Sequence, residues 1–202
     1  YVTAYFDRFA ADFDDMLVNQ LEYRIPQQIV GVMDKTLGAG RTDLTILDLG
    51  CGTGLCGVAL KGRSSAIDGV DLSPKMLARA RQRRIYRTLV EADLCTHLAD
   101  TPERYELVVS GDVLIYLGSL DAVMDGIARV LQPGGTAIFS LESHKGKGFR
   151  LTESGRYAHS RRYVRKIAAE AGLAEQAVTR QTARLEYGEP VAGDIWVFSA
   201  AG

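Results

Sequence analysis

The segment Ile46-Leu47-Asp48-Leu49-Gly50-Cys51-Gly52-Thr53-Gly54 constrains this chain more than any other: an apolar strand runs through a carboxylate into alternating glycines. Glycine recurs there because a strand-to-helix turn must be tight and its backbone must approach a ligand with no side chain in the way. Such a turn opens a parallel α/β sheet, whose ligand sits at the carboxyl ends of the strands.

The rest of the chain repeats that unit. The pattern predicts strands over Leu44 to Leu49, Ala66 to Val70, Thr88 to Val90, Leu107 to Ser110 and Thr136 to Leu141. It predicts helices over Leu55 to Lys61, Pro74 to Arg84, Leu120 to Leu131 and Ser160 to Ala171, with Ser73 capping the second and Pro133-Gly134-Gly135 stopping the third. Strands alternating with helices imply a parallel sheet covered on both faces. Glu175 to Tyr187 and Asp194 to Ala200 are two extended segments joined by a short polar turn around Gly188-Glu189-Pro190, so the last strand is expected to run antiparallel.

At the start, Tyr5, Phe6, Phe9, Phe13, Met16 and Leu17 recur at three- and four-residue spacing, which predicts an amphipathic helix with Asp7, Asp12, Asp14 and Asp15 at its other positions. A second helix is expected from about Ile25 to Leu37, with Pro26 in its first turn. The 202 residues suit one structural domain, divided here into an N-terminal helical lid over 1–40 and a ligand-binding domain over 41–202.

Lys+Arg 24 against Asp+Glu 25 lacks the global basic excess of a non-specific nucleic-acid binder, though local patches stay open. No apolar run approaches the roughly 18 residues of a membrane span, and the first residues have no signal-peptide pattern, so a cytoplasmic protein is expected. Cys51, Cys56 and Cys95 are odd in number and never spaced as Cys-x-x-Cys, which disfavours disulfides and a structural zinc site; no metal is expected.

Two readings of the glycine turn compete. Gly52-Thr53-Gly54-Leu55-Cys56-Gly57 satisfies the Gly-x-Gly-x-x-Gly dinucleotide pattern, and Asp71 lies about 20 residues downstream, as a ribose-binding acid does in nicotinamide enzymes. The wider context points elsewhere. Residues Ile46 to Gly54 resemble the first motif of the class I S-adenosylmethionine-dependent methyltransferases. Gly69-Val70-Asp71-Leu72-Ser73-Pro74-Lys75-Met76-Leu77, Glu91-Ala92-Asp93-Leu94, Leu107-Val108-Val109-Ser110-Gly111-Asp112 and Val130-Leu131-Gln132-Pro133-Gly134-Gly135 match further segments of that family in order.

The resemblance implies a Rossmann-like, doubly wound, seven-stranded mixed α/β sheet whose last strand is antiparallel, with S-adenosylmethionine as cofactor and S-adenosylhomocysteine as product. It implies that Asp71 accepts hydrogen bonds from the ribose hydroxyls. Asp93 and the Leu94 amide would meet the adenine edge, and Leu72 and Met76 its faces. Asp48, Gly50, Gly52, Gly54 and Gly111 would line the methionine end. Tyr5-Phe6-Asp7-Arg8-Phe9 resembles the lid of small-molecule methyltransferases, so Tyr5 and Phe9 are expected over the cofactor. Continuing through Leu21 to Pro26, the chain is similar to methyltransferases with upstream tetratricopeptide repeats, and a start at Tyr1 suits a longer native chain.

The acceptor follows by absence of signatures. Asp112-Val113-Leu114-Ile115 is not the Asn/Asp-Pro-Pro-aromatic motif of base amino methylation, and none of the five prolines precedes a cysteine. A small-molecule acceptor, methylated on oxygen or nitrogen, is expected. Tyr116, Tyr157 and His159 are the candidate acceptor-site residues, His159 as general base or as mere cap of the next helix. Eight cations between Lys145 and Lys166 face a single acid, Glu153, which suits an anionic acceptor. Arg79, Arg81, Arg83, Arg84 and Arg87 form a second basic run, read as surface with an RNA-facing role left open. The rivals are a nicotinamide-dependent oxidoreductase and a non-catalytic cofactor-binding adapter.

Overall fold

The computed structural model describes residues 24–186 and 189–202, with side chains described outside 183–190. The aromatic segment Thr3 to Val18, including Tyr5 and Phe9, lies outside the described residues. The described part of the expected lid is helix α1 (Ile25–Leu37), which carries Pro26 in its first turn. Ile25, Ile29 and Met33, four residues apart, form one buried stripe that packs on the sheet.

The chain then alternates through β1 (Leu44–Leu49), α2 (Leu55–Leu60), β2 (Ser64–Asp71), α3 (Pro74–Gln82), β3 (Thr88–Glu91), α4 (Leu94–Asp100) and β4 (Tyr105–Ser110). It continues with α5 (Asp121–Val130), β5 (Leu131–Ser143), β6 (Phe149–Leu151), β7 (Tyr157–His159), α6 (Arg161–Glu170), β8 (Leu173–Glu186) and β9 (Glu189–Ala200). Strands β3, β2, β1, β4 and β5 lie side by side and parallel. Strand β9 runs antiparallel to β5, Thr136 opposite Ser199 and Glu142 opposite Gly193, and β8 pairs on its far side. The expected antiparallel last strand is therefore present.

Alternation along the strands separates two apolar layers. Leu47, Leu49, Val108, Phe139, Trp196 and Phe198 meet Met124 and Ile127 of α5 and Val164 of α6 on one face. Ile46, Leu107, Val109, Ile138 and Val197 meet α1 and Leu60 of α2 on the other. Phe139, Phe198 and Trp196 stack in series with centroids 5.7 and 5.6 Å apart, each buried ring contributing about 2–3 kcal/mol. Asp68 of β2 is a polar tie near the edge: Arg87, just before β3, Thr88 of β3 and Tyr105 of β4 all donate to it. Burial opposes its charge, but these donors outweigh that and hold its pKa below the ordinary carboxylate value.

Three features depart from the sequence-based expectation. Helix α4 was not anticipated; it has seven residues and one fully buried side chain, Leu98, too little apolar periodicity to register. Strand β5 starts at Leu131, directly after α5 and before Pro133-Gly134-Gly135, whereas a strand was expected only from Thr136 to Leu141; Gly134 takes φ 72° within it. The described sheet has nine strands instead of seven, because β6 and β7 form a hairpin added to the carboxyl end of β5, where Ala158 and His159 pair with Glu142 and Ser143. Among the described residues, no helix is long and apolar enough to cross a membrane.

Candidate functional site

The site lies where the sheet changes direction, between the carboxyl ends of β1 and β4, the place where open α/β sheets hold ligands. The glycine turn after β1 is built from left-handed backbone: φ is 74° at Gly50, 53° at Gly52 and 93° at Gly54. At Gly50 a Cβ would stand 2.5 Å from both methyls of Val113, so glycine is required where the β1 and β4 loops touch. At Gly52 a Cβ would meet nothing within 4 Å, so the turn is open on that side and presents bare backbone.

Asp71, at the end of β2, holds the turn in place. Its carboxylate accepts from the Gly52 amide at 2.8 Å and from the Ser73 amide at 2.9 Å. Ser73 caps α3 through Met76 N–H, 3.1 Å. An acidic group at a glycine turn, beside an open backbone and the 42% exposed Leu72, fits a nucleoside with ribose hydroxyls and an apolar ring face.

Asp48 is buried in the layer beneath the turn. Tyr86 donates its hydroxyl to Asp48 Oδ2 at 2.7 Å, and the Gly57 amide also stabilises the carboxylate. Burial is nonetheless the larger effect, pushing the Asp48 pKa up to about 7. Tyr86 and Arg83, which donates to the Thr53 carbonyl at 2.5 Å, fix the glycine turn from the side of α3. Sequence reasoning missed both, because they sit inside a basic run that reads as surface. Gly57 carried the only signal: a Cβ there would collide with the Tyr86 hydroxyl.

The β4 side mirrors this. Ser110 Oγ donates to the Leu49 carbonyl at 2.8 Å, and Asp112, at φ 56°, donates its amide to Ser140 Oγ at 2.7 Å. Gly111 therefore sits in a turn fixed on both flanks. Asp93 is exposed and caps α4, accepting from the Thr96 amide at 3.1 Å, with Leu94 beside it. Met76, expected on an adenine face, is 2% exposed and belongs to the buried side of α3. Its side chain is not presented at the turn, because helical spacing places Met76, Leu77 and Ala80 together against the sheet.

Around the expected acceptor mouth, Tyr116 ends a short 3-10 turn (Leu114–Tyr116) after β4, and its hydroxyl accepts from Arg156 Nε at 3.4 Å. Tyr157 packs edge-on against Phe149, centroids 5.9 Å apart, and both rings approach Gly118, where a Cβ would lie 2.8 Å from Phe149. His159 departs from its expected role as an accessible base. It is 1% exposed, and its Nε2 lies 3.0 Å from the Leu117 carbonyl and 2.9 Å from that of Gly118, so this nitrogen carries the proton and donates. Nδ1 is buried without a hydrogen-bond partner, and burial lowers the ring's pKa. Nor does His159 cap the next helix: Ser160 does, accepting from Tyr163 N–H at 3.3 Å. The basic stretch is partly neutralised, Arg161 by Asp194 and Arg165 by Glu175, which leaves Lys145, Lys147 and Arg150 exposed along the hairpin.

Residues 46–135, which contain the glycine turn, Asp71, Asp93 and the β4 loop, match a family model described as a methyltransferase domain. Over this segment the chain is similar to S-adenosylmethionine-dependent methyltransferases. A ubiquinone biosynthesis O-methyltransferase of Nitrosomonas europaea is 24% identical over 172 residues, 74% of this chain and 72% of that protein. A biotin biosynthesis bifunctional protein BioHC of Saccharophagus degradans is 35% identical over 98 residues, 47% of this chain but only 18% of that protein. Magnesium protoporphyrin IX methyltransferase from Synechocystis PCC 6803, solved with S-adenosylmethionine bound, shares the fold at a TM-score of 0.67 and 21% identity, over 87% of this chain and 79% of that one. Within a methyltransferase domain, the Gly52 to Gly57 pattern no longer favours a nicotinamide cofactor.

Proposed function

We propose that this chain transfers a methyl group from S-adenosylmethionine to a small anionic acceptor, and that the accepting atom is a carboxylate oxygen. The observation that carries the cofactor reading is the left-handed glycine turn seated on Asp71, inside the span that matches the methyltransferase model. Asp71 accepts the ribose hydroxyls, Gly50, Gly52, Gly54 and Gly111 give backbone to the methionine end, and Asp48 supplies negative charge from beneath the turn. Asp93 and the Leu94 amide take the adenine edge and Leu72 one ring face, while Met76 supports α3 from within. Tyr5 and Phe9 keep their lid role, residues 1–40 acting over the 41–202 domain.

The bound cofactor supplies an activated methyl group on a positively charged sulfur, and displacement from it disperses that charge. The protein therefore has to align the acceptor and exclude water. Lys145, Lys147 and Arg150 attract the anion, and Tyr116 and Tyr157 orient it beside Phe149, which is 40% exposed. A carboxylate suits this site because it is already ionised near neutrality and needs no base. His159 has no nitrogen at the surface, and both ring nitrogens of His144 are engaged with the backbone of its own loop. The three cysteines are free thiols, which suits a reducing, cytoplasmic compartment. A relationship to chains with upstream tetratricopeptide repeats rests only on the resemblance of Tyr5 to Asp14 and Leu21 to Pro26.

Two measurements test the reading. Isothermal titration with S-adenosylhomocysteine should show Asp71→Ala binding about 10–100-fold more weakly, the loss of charge-assisted hydrogen bonds worth ~1.5–3 kcal/mol; unchanged affinity would overturn the cofactor assignment. A screen of carboxylic acids, phenols and amines with methyl-labelled cofactor should give a base-labile ester, and label found only on phenols or amines would reject the carboxylate.

A further inference from the structure

A cleft of about 430 Å³ opens at the amino end of β3, away from the carboxyl ends that carry the cofactor residues. Arg81, Arg84, Arg87, Tyr86, Thr88 and Leu89 line it. Between Pro74 and Val90 the chain has no acidic residue. Arg87 is engaged by Asp68, and by Glu103 at 3.6 Å. Arg81 and Arg84 have no acidic partner among the described residues.

Arg84 adds a second observation. It follows the C-cap of α3 at φ 55°, the left-handed position at which helices normally place glycine or asparagine. A long cationic side chain held in that costly conformation points from strain toward use. Its turn brings Arg84 to the same cleft as Arg81. Guanidinium groups present planar forks of donors that match phosphate oxygens. The cleft is within the size range of small-molecule sites and far larger than a bare phosphate, with Tyr86 and Leu89 as walls for an apolar portion.

We propose that this cleft binds a phosphate-bearing ligand of nucleotide size through Arg81 and Arg84. The site stands independently of the methyl acceptor: Tyr86 alone of its lining also supports the glycine turn, through Asp48, and neither Arg81 nor Arg84 is assigned to that reaction. The ligand chemistry is a phosphate ester next to an apolar or aromatic group, supplied either by a free nucleotide or by the backbone of single-stranded RNA.

Titration of the full chain with ADP, with pyrophosphate and with a ten-nucleotide single-stranded RNA tests it. Arg84→Gly removes the side chain and relieves the left-handed backbone, so the variant should fold, as circular dichroism will verify; Arg81→Gln alters an exposed helical position. ADP binding that weakens at least tenfold in each variant, and more than pyrophosphate binding does, would establish a free-nucleotide site. RNA binding that falls steeply with salt and weakens in both variants, with ADP not bound, would establish the polymer as source. No binding of any probe at millimolar concentration, or binding that both variants leave unchanged, would overturn the proposal.

Discussion

Asp48 is a carboxylate inside an apolar layer, and its chemistry follows from that placement. Its pKa rises from about 3.9 in an unfolded chain to about 7 in the folded one, chiefly through burial. Between those values the native state holds a proton that the unfolded state has lost. The stability this contributes is present below about pH 4 and is lost as pH rises through about 7. Asp48→Asn should therefore flatten the decline in stability between about pH 4 and pH 7, measured by urea midpoints. Ionised Asp48 also favours the ammonium group at the amino-acid end of the ligand, so S-adenosylhomocysteine should bind more tightly at pH 8 than at pH 6 in the wild type, with that difference reduced in Asp48→Asn. A pH dependence identical in the two proteins would remove Asp48 from the site. The placement of Asp48, Asp71 and the glycines was legible in the sequence because strand ends and tight turns display these residue types in order. Tyr86 was not legible: its hydroxyl reaches Asp48 across 38 positions of chain, and no local pattern announces such a contact.

At the scale of elements, parallel strands and their helices were readable from periodicity, whereas the β6–β7 hairpin was not. Three-residue strands carry too few alternations to register, and only their pairing to the end of β5 makes them strands. His159 ties that hairpin to the 3-10 segment after β4 by donating to Leu117 and Gly118, with its ring between Phe149 and Tyr163. As a positioning residue, it predicts a specific pattern. His159→Ala should lower stability by about 2–4 kcal/mol in denaturant titration, through the cavity and the two carbonyls left without a donor. His159→Gln, whose side-chain amide can donate to the same carbonyls, should recover much of both stability and turnover. Turnover abolished equally in both, with the fold intact, would restore the general-base role.

Across the whole molecule, Arg161 at the start of α6 clamps Asp194 in β9 through two hydrogen bonds, 2.9 and 2.6 Å, and so joins the helical layer to the strand beside β5. Asp194 is buried, and Arg161→Ala would leave its charge uncompensated. We expect a loss of about 2–3 kcal/mol, less than for a fully buried pair because Arg161 is 37% exposed; Asp194→Asn placed on that background should recover part of it. A urea midpoint unchanged by Arg161→Ala would show that the clamp contributes nothing. Sheet order was inferable only in part, since the sequence indicated an antiparallel end but not that β9 lies inside, between β5 and β8. That interior position has a consequence for synthesis. While residues 189–200 are still unmade, Thr136 to Glu142 form an open strand edge and Phe139 lacks the stacking partner that Phe198 provides. A nascent chain halted before that point carries an adhesive edge next to a completed glycine turn, so chaperone capture and aggregation should peak in that interval of translation and subside once β9 slots in.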